Sequence, residues 1–358
     1  MAGRGDPPEG TPEGVPGGED EYRSVVFDEA FVRAARLQEF SAQERMGEHA
    51  QAVRSRPAWE GRTASRQALL LVLLILLAFG TAVYLGVRNP YQPPVDQRAD
   101  PLRTTVVPLA PQGPVTGGEP DRLFSHSPAA EYRSGAAGIN LPLVARTPHF
   151  SESQVVTALS IAKDYLVASS LEPDVLTGVT ARPVRLLVDP DQLEQFDRSV
   201  ESPKDDGRHA VAGWLVRFDP HEVALAAPNA RVQGTLHFAE INAEVLEVTT
   251  DHTFTYAVRP AASGTGPQAR ASLFTVHREL RFRFDRDDLR MHRAELVTST
   301  VQAGPQACDA DTTGSLRPLL AGERAERTRQ AVTDPYATGR PTTSSLCGTL
   351  APNAQPSL

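Results

Sequence analysis

The signatures that usually betray an enzyme are missing from this chain. No G-x-S-x-G elbow, Walker loop, H-E-x-x-H pair or Gly-rich dinucleotide fingerprint occurs, which leaves the common nucleophilic, nucleotide-binding and zinc-hydrolase chemistries without a motif. Cysteine is scarce, at two residues, and no C-x-x-C exists, so neither a thioredoxin-like site nor a zinc knuckle is indicated. Lysine is scarcer relative to arginine: Lys163 and Lys204 stand against 34 arginines, a bias that with abundant Ala, Gly and Pro points to coding from a GC-rich genome. The formal charge of −8 and the mixing of arginines with Asp and Glu exclude a concentrated phosphate-binding face, so nucleic acid is not an expected partner.

What the chain does have is one apolar run, Ala68 to Val87, between Arg66 and Arg88. At about 1.5 Å per residue it would be roughly 30 Å long, the thickness of a bilayer's hydrocarbon core, and it holds no Asp, Glu, Lys, Arg or His. A transmembrane helix over 67–88 is therefore expected. A cleaved signal peptide would need a shorter apolar region and a small-residue cleavage site, and Tyr84-Leu85-Gly86-Val87-Arg88-Asn89-Pro90 is a poor one. Arg54, Arg56, Arg62 and Arg66 precede the run while Arg88, Arg98 and Arg103 follow it, which slightly favours a cytoplasmic N-terminus. Both cysteines, Cys308 and Cys347, lie beyond it, as suits an oxidising extracytoplasmic side. Ala78, Ala82 and Gly86 share one face of the span and would allow close packing on another membrane helix, including a second copy of the chain.

The remaining segments differ in composition. Residues 1–23 form an acidic, Gly/Pro-rich tail that cannot build a core. Within 24–66, Phe27, Ala30, Phe31, Ala34 and Leu37 recur at helical spacing, which predicts an amphipathic helix over about 27–46. Phe27, Asp28, Phe31, Ala34 and Leu37 are its candidate partner-binding residues. Residues 89–147 read as a Pro-rich spacer, with ten prolines between Arg88 and Ala145. Folding is expected over 148–304, followed by an irregular tail, 305–358.

In the folded part, Ser151-Glu152-Ser153-Gln154 fits a capping box, and Val155, Leu159, Ala162 and Leu166 form the stripe of a helix to about Ser170. Strands are expected at 183–188, 209–218, 222–226, 230–248, 250–259 and 271–284. In the last, Phe274, Val276, Arg278, Leu280, Phe282 and Phe284 alternate with Thr275, His277, Glu279, Arg281, Arg283 and Asp285, giving one buried and one wet face. Asp285 to Asp288 reads as a solvated hairpin turn before a returning strand, Leu289 to Val301. The order of elements predicts an α+β domain with a curved antiparallel sheet, and it resembles the roll of nuclear-transport-factor-2-like and cystatin-like folds.

Pairing of Cys308 with Cys347 is expected to pin the tail at a gain of roughly 4 kcal/mol in the chain-entropy model; free thiols or intermolecular bonds are the alternatives. His209, His221, His237, His252, His277 and His292 read as surface or half-buried histidines, since none has metal-ligand spacing. Asp285, Asp287 and Asp288 lack the further oxygens of a calcium loop. No metal, cofactor or catalytic residue is assigned.

Phe27-Asp28-Glu29-Ala30-Phe31-Val32-Arg33-Ala34-Ala35, followed by Arg45-Met46 and the apolar run, resembles the N-terminal signature of a family of single-pass membrane proteins in Streptomyces and its relatives. Val276-His277-Arg278-Glu279-Leu280-Arg281-Phe282, Gln302-Ala303-Gly304-Pro305 with Cys308, Asp334-Pro335-Tyr336-Ala337 and Leu346-Cys347-Gly348 are similar to its exterior part. That family is associated with the spore-wall synthesis machinery. The resemblance implies a non-enzymatic scaffold or assembly subunit of the cell envelope, N-terminus inside. Its expected partners are the lipid bilayer, other wall-synthesis proteins and wall polymer. The alternatives are a membrane-anchored hydrolase acting on wall glycan or glycopolymer, and a transmembrane sensor.

Overall fold

The computed structural model describes residues 64–88, 99–263, 270–326, 330–337 and 346–358. The chain divides into two units, 1–92 and 93–358. In the first, helix α1 runs Ala64–Arg88. Its described side chains are those of 68–81, 83 and 84, all exposed, Ala78 among them. Among the described residues no helix is long and apolar enough to cross a membrane. The 27–46 segment with Phe27, Asp28, Phe31, Ala34 and Leu37, and the side chains of Ala82 and Gly86, lie outside the described residues.

The second unit is α+β with a mixed, curved sheet. In chain order it comprises β1 (Arg103–Ala110), β2 (Arg133–Ser134), α2 (Glu152–Ser170), α3 (Leu193–Glu201), α4 (Val211–Trp214), β3 (Val223–Leu225), β4 (Arg231–Glu240), β5 (Leu246–Pro260), β6 (Ser272–Phe284), α5 (Arg286–Met291), β7 (Glu295–Gly304), β8 (Val332–Thr333) and β9 (Gly348–Leu350), with short helical turns between. The strand order is β2-β4-β5-β6-β7-β1-β9-β8, with β3 on β5. β2 to β7 are antiparallel neighbours, whereas β1 runs parallel to both β7 and β9.

The capping box forms as expected. The Ser151 hydroxyl accepts from the Gln154 amide at 3.3 Å, and the Ser151 amide donates to Gln154 Oε1 at 2.8 Å. Val155, Leu159, Ala162 and Leu166 are fully buried against the inner face of the sheet, where Tyr165 meets Phe282 edge-on at 5.3 Å. The even-numbered residues of β6 from Phe274 to Phe284 face this core. Trp214 closes it, packed edge-on against Phe196 of α3 at 5.3 Å.

Several expectations fail, each for a local reason. The spacer does not extend over 99–147: Leu102, Val107, Leu109 and Ala110 are buried, and β1 fills the place between β7 and β9. Two side-chain amides fix its approach. Gln195 bonds both the N–H and the C=O of Leu102, at 2.8 and 2.9 Å, and Gln192 bridges the Asp100 carbonyl to the backbone of Leu296. Pro108 is tolerated inside the sheet because it sits where β1 changes neighbour, from Ala303 on β7 to Gly348 on β9 at the next residue.

The 183–188 segment is not a strand: it opens within a helical turn, Arg182–Arg185, with proline near its start where no N–H bond is needed. Within 209–218 lies helix α4. The single strand expected over 230–248 is a hairpin, β4 and the start of β5, turned by Asn242, whose Oδ1 accepts from the amides of Glu244 and Val245. Asp285 to Asp288 is not a solvated turn but the capped start of α5, and the returning strand starts at Glu295 rather than Leu289. The tail is not wholly irregular either: Cys308 and Cys347 form a disulfide, and β8 and β9 extend the sheet.

Candidate functional site

One concave site gathers charge. A cleft of about 370 Å³ is lined by Asp100, Asp189, Asp285, Asp288 and Glu295 with Arg283, beside Ile241, Asn242 and Val245 of the β4–β5 turn. The fold places these groups by capping. Asp285 is the N-cap of α5, its Oδ1 accepting from the amides of Asp287 and Asp288 at 2.7 Å each, and Asp288 Oδ2 accepts in return from the Asp285 amide at 3.1 Å. Asp288 is thereby buried. Burial, a hydrogen bond with Asp189 and the nearby Asp285 charge push its carboxyl up to about 8, so it is largely a neutral acid at physiological pH. Glu295 is raised as well, first by burial, although the Asp100 amide and Arg283 oppose the shift. Arg283 Nη1 lies 3.0 Å from Asp100 Oδ2. A carboxyl raised in this way can act as a proton donor. Among the described residues no group of His, Cys, Asp and Glu is arranged to hold a metal ion.

A second cluster lies on the outer face of β5 and β6. His277, only 3 % exposed, points Nε2 at Asp251 Oδ1 (3.3 Å) and Glu279 Oε1 (3.5 Å) and Nδ1 at the Pro335 carbonyl (3.1 Å) and Thr253 Oγ1 (3.1 Å). Burial opposes its charge, but the two carboxylates and the carbonyl outweigh burial and raise its proton affinity. Thr253, His277 and Asp251 stand in the order of a nucleophile, base and acid. The Thr253 hydroxyl, however, donates to Pro335 at 2.9 Å, and Thr253 is fully buried, so no substrate reaches it.

The third cluster is internal. Arg278 is fully buried with no carboxylate among its bonds. Its Nη1 donates to the Ser169 and Ser170 hydroxyls at 2.8 Å each, and its Nη2 to the carbonyls of Gly213 and Trp214 at 3.3 and 3.0 Å. These are the C-terminal ends of α2 and α4, where carbonyls lack helical partners and the dipole of the longer helix favours a cation. His252, its cross-strand neighbour, is also fully buried, and burial first, then the His277 charge, lowers it to about 3, so it is neutral. Its ring lies over Gly234, where a Cβ would approach ring carbons to 2.5 Å.

The sequence reading of the histidines therefore fails for His252 and His277, which are buried, and the solvated turn read at Asp285 and Asp288 fails because they cap α5 and Asp288 is buried. Arg278 was visible as an interruption of the apolar stripe of β6, but its partners, distant in sequence, were not. Asp100 and Asp189 carried no signal, since they reach the cleft from segments distant in sequence from Asp288. No family model, curated protein or solved structure matches the chain.

Proposed function

We propose that this chain is a single-pass membrane protein acting as a non-enzymatic scaffold or assembly subunit in cell-envelope, and specifically spore-wall, biosynthesis. The observation that carries the reading is the apolar run, whose residues fall within one continuous helix, Ala64–Arg88. Within it the Thr81 hydroxyl donates to the carbonyls of Leu77 and Ala78 at 2.9 Å, which removes the cost of an unsatisfied polar group in lipid. The disulfide agrees with an oxidising exterior for the second unit. Ten residues, 89–98, lie between the helix and the first described residue of that unit. The filled core around Trp214 and Tyr165 favours a binding module over an enzyme with a pocket inside the roll.

In this reading the segment around Phe27 and Phe31 contacts a partner inside, and the exterior domain binds wall-synthesis proteins or wall polymer. The long capped helix preceding an antiparallel meander supports the nuclear-transport-factor-2-like or cystatin-like roll, with β1 as an added parallel strand. Crosslinking and affinity capture from sporulating cells tests the inner contact. Replacing Phe27 and Phe31 by Asp is expected to lose the captured partners, and unchanged recovery would refute it.

One observation favours the anchored hydrolase instead: the neutral Asp288 beside Asp189 in an open cleft. Release of wall glycan by the full chain, abolished by Asp189→Asn and Asp288→Asn, would move the assignment to that reading.

A further inference from the structure

The residues Asp334 to Tyr336 cross the outer face of β5 and β6 and are held there by side chains rather than by a strand ladder. Pro335 gives its carbonyl to Thr253 and His277; the Tyr336 hydroxyl lies 2.8 Å from Thr275 Oγ1, and its ring meets Tyr132 edge-on at 5.9 Å. Asp334 shapes the strap itself, accepting from the Tyr336 amide at 3.0 Å and from Asn353 at 3.3 Å.

At the centre, the register of β5 and β6 sets Asp251 directly opposite Glu279, a like-charge pair that destabilises the sheet unless a cation lies between. His277 lies between them, its Nε2 3.3 Å from Asp251 Oδ1 and 3.5 Å from Glu279 Oε1. Its two nitrogens face acceptors on opposite sides, the carboxylates at Nε2 and the Pro335 carbonyl at Nδ1, and only the doubly protonated ring donates to both. A neutral ring with its proton on Nδ1 turns a lone pair toward two carboxylates. With the proton on Nε2 it turns a lone pair toward the carbonyl. Among the described residues, the remaining ionisable groups around it are Tyr336 and Asp334 from the strap, Tyr132 from the turn beside it, and neutral His252 from the other face of β5. Tyr132 is pushed up to about 12, first by burial and then by Tyr336, Asp334 and Asp251, so it stays uncharged. On β7 the cross-strand neighbour is Gln302, which does not titrate.

We propose that His277 is a protonation-controlled latch, whose charged ring holds the Asp334–Tyr336 strap on the sheet and whose deprotonation releases it. Release bares the threonines Thr253, Thr255 and Thr275, which are buried beneath the strap, and parts Tyr336 from Tyr132. The disulfide of Cys347 and strand β9 keep the freed strap tethered. The carboxylates stay on the sheet in either state, so the Pro335 carbonyl is what couples docking to the charge: docking is strongest while the ring is doubly protonated and weakens as pH rises through the docked value.

Hydrogen exchange of the full chain in nanodiscs, followed on peptides covering 330–337 from about pH 5 to about pH 9 and corrected for intrinsic rates, tests this. Protection is expected to be level at low pH and to fall by up to about tenfold per pH unit above a midpoint. The double variant Asp251→Asn with Glu279→Gln is expected to move that midpoint to lower pH. His277→Asn is expected to give low, pH-independent protection of the strap while β4 peptides remain protected. Level protection in the natural chain across the range, or a midpoint unmoved in the double variant, would overturn the latch.

Discussion

Arg278 carries its charge into the interior without a carboxylate beside it, and all four of its bonds are to hydroxyls and carbonyls at helix ends. The arrangement ties α2 and α4 to the middle of the sheet, so removing the guanidinium takes a donor from each of these buried acceptors. Arg278→Met is expected to cost roughly 2–4 kcal/mol in thermal unfolding of the full chain; a loss below about 1 kcal/mol would show that water or apolar packing replaces it easily. Asp288 makes a prediction of the opposite sign. Its carboxyl binds a proton more tightly folded than unfolded, so its contribution is complete below pH ~4 and is lost as pH rises through about 8. Asp288→Asn keeps the amide-accepting oxygen of the cap and removes the charge. Above about pH 8 the variant should be more stable by on the order of 1–2 kcal/mol, with little difference near pH 4; equal melting curves at both pH values would contradict the buried, neutral acid.

At the scale of elements, the sequence was legible where local chemistry and packing agreed. Ser151 and Gln154 announce the start of α2, and its Val155-Leu159-Ala162-Leu166 stripe continues into the core. β6 declares both faces by alternation, and even Arg278 keeps its place on the inner one. Legibility fails where tertiary contacts override composition. Arg103 to Ala110 is β-branched and apolar, but it sits among prolines that read as spacer, and nothing local reveals that β7 and β9 accept it. Asp285 to Asp288 is rich in turn formers, which cap a helix as readily as they close a hairpin. Leu109 separates the two accounts of this region. It is fully buried, so Leu109→Ala is expected to cost about 2–4 kcal/mol in unfolding experiments. A leucine in a solvated spacer would cost nothing.

For the whole molecule, the correction to β1 changes the geometry of the proposal more than its kind. Residues 99–110 belong to the folded unit rather than to a spacer, and Ala99 and Asp100 line the acidic cleft. In the proposed scaffold the inner segment and the exterior domain are joined by one helix. The central claim is therefore topological, and protease protection tests it most directly. The full chain, tagged at both ends, is treated with external protease on intact protoplasts before and after detergent. The account predicts that the C-terminal tag is lost at once, while an N-terminal fragment ending near the helix survives in the membrane until detergent is added. Protection of the C-terminal tag, or recovery of the intact chain in the soluble fraction, would contradict it.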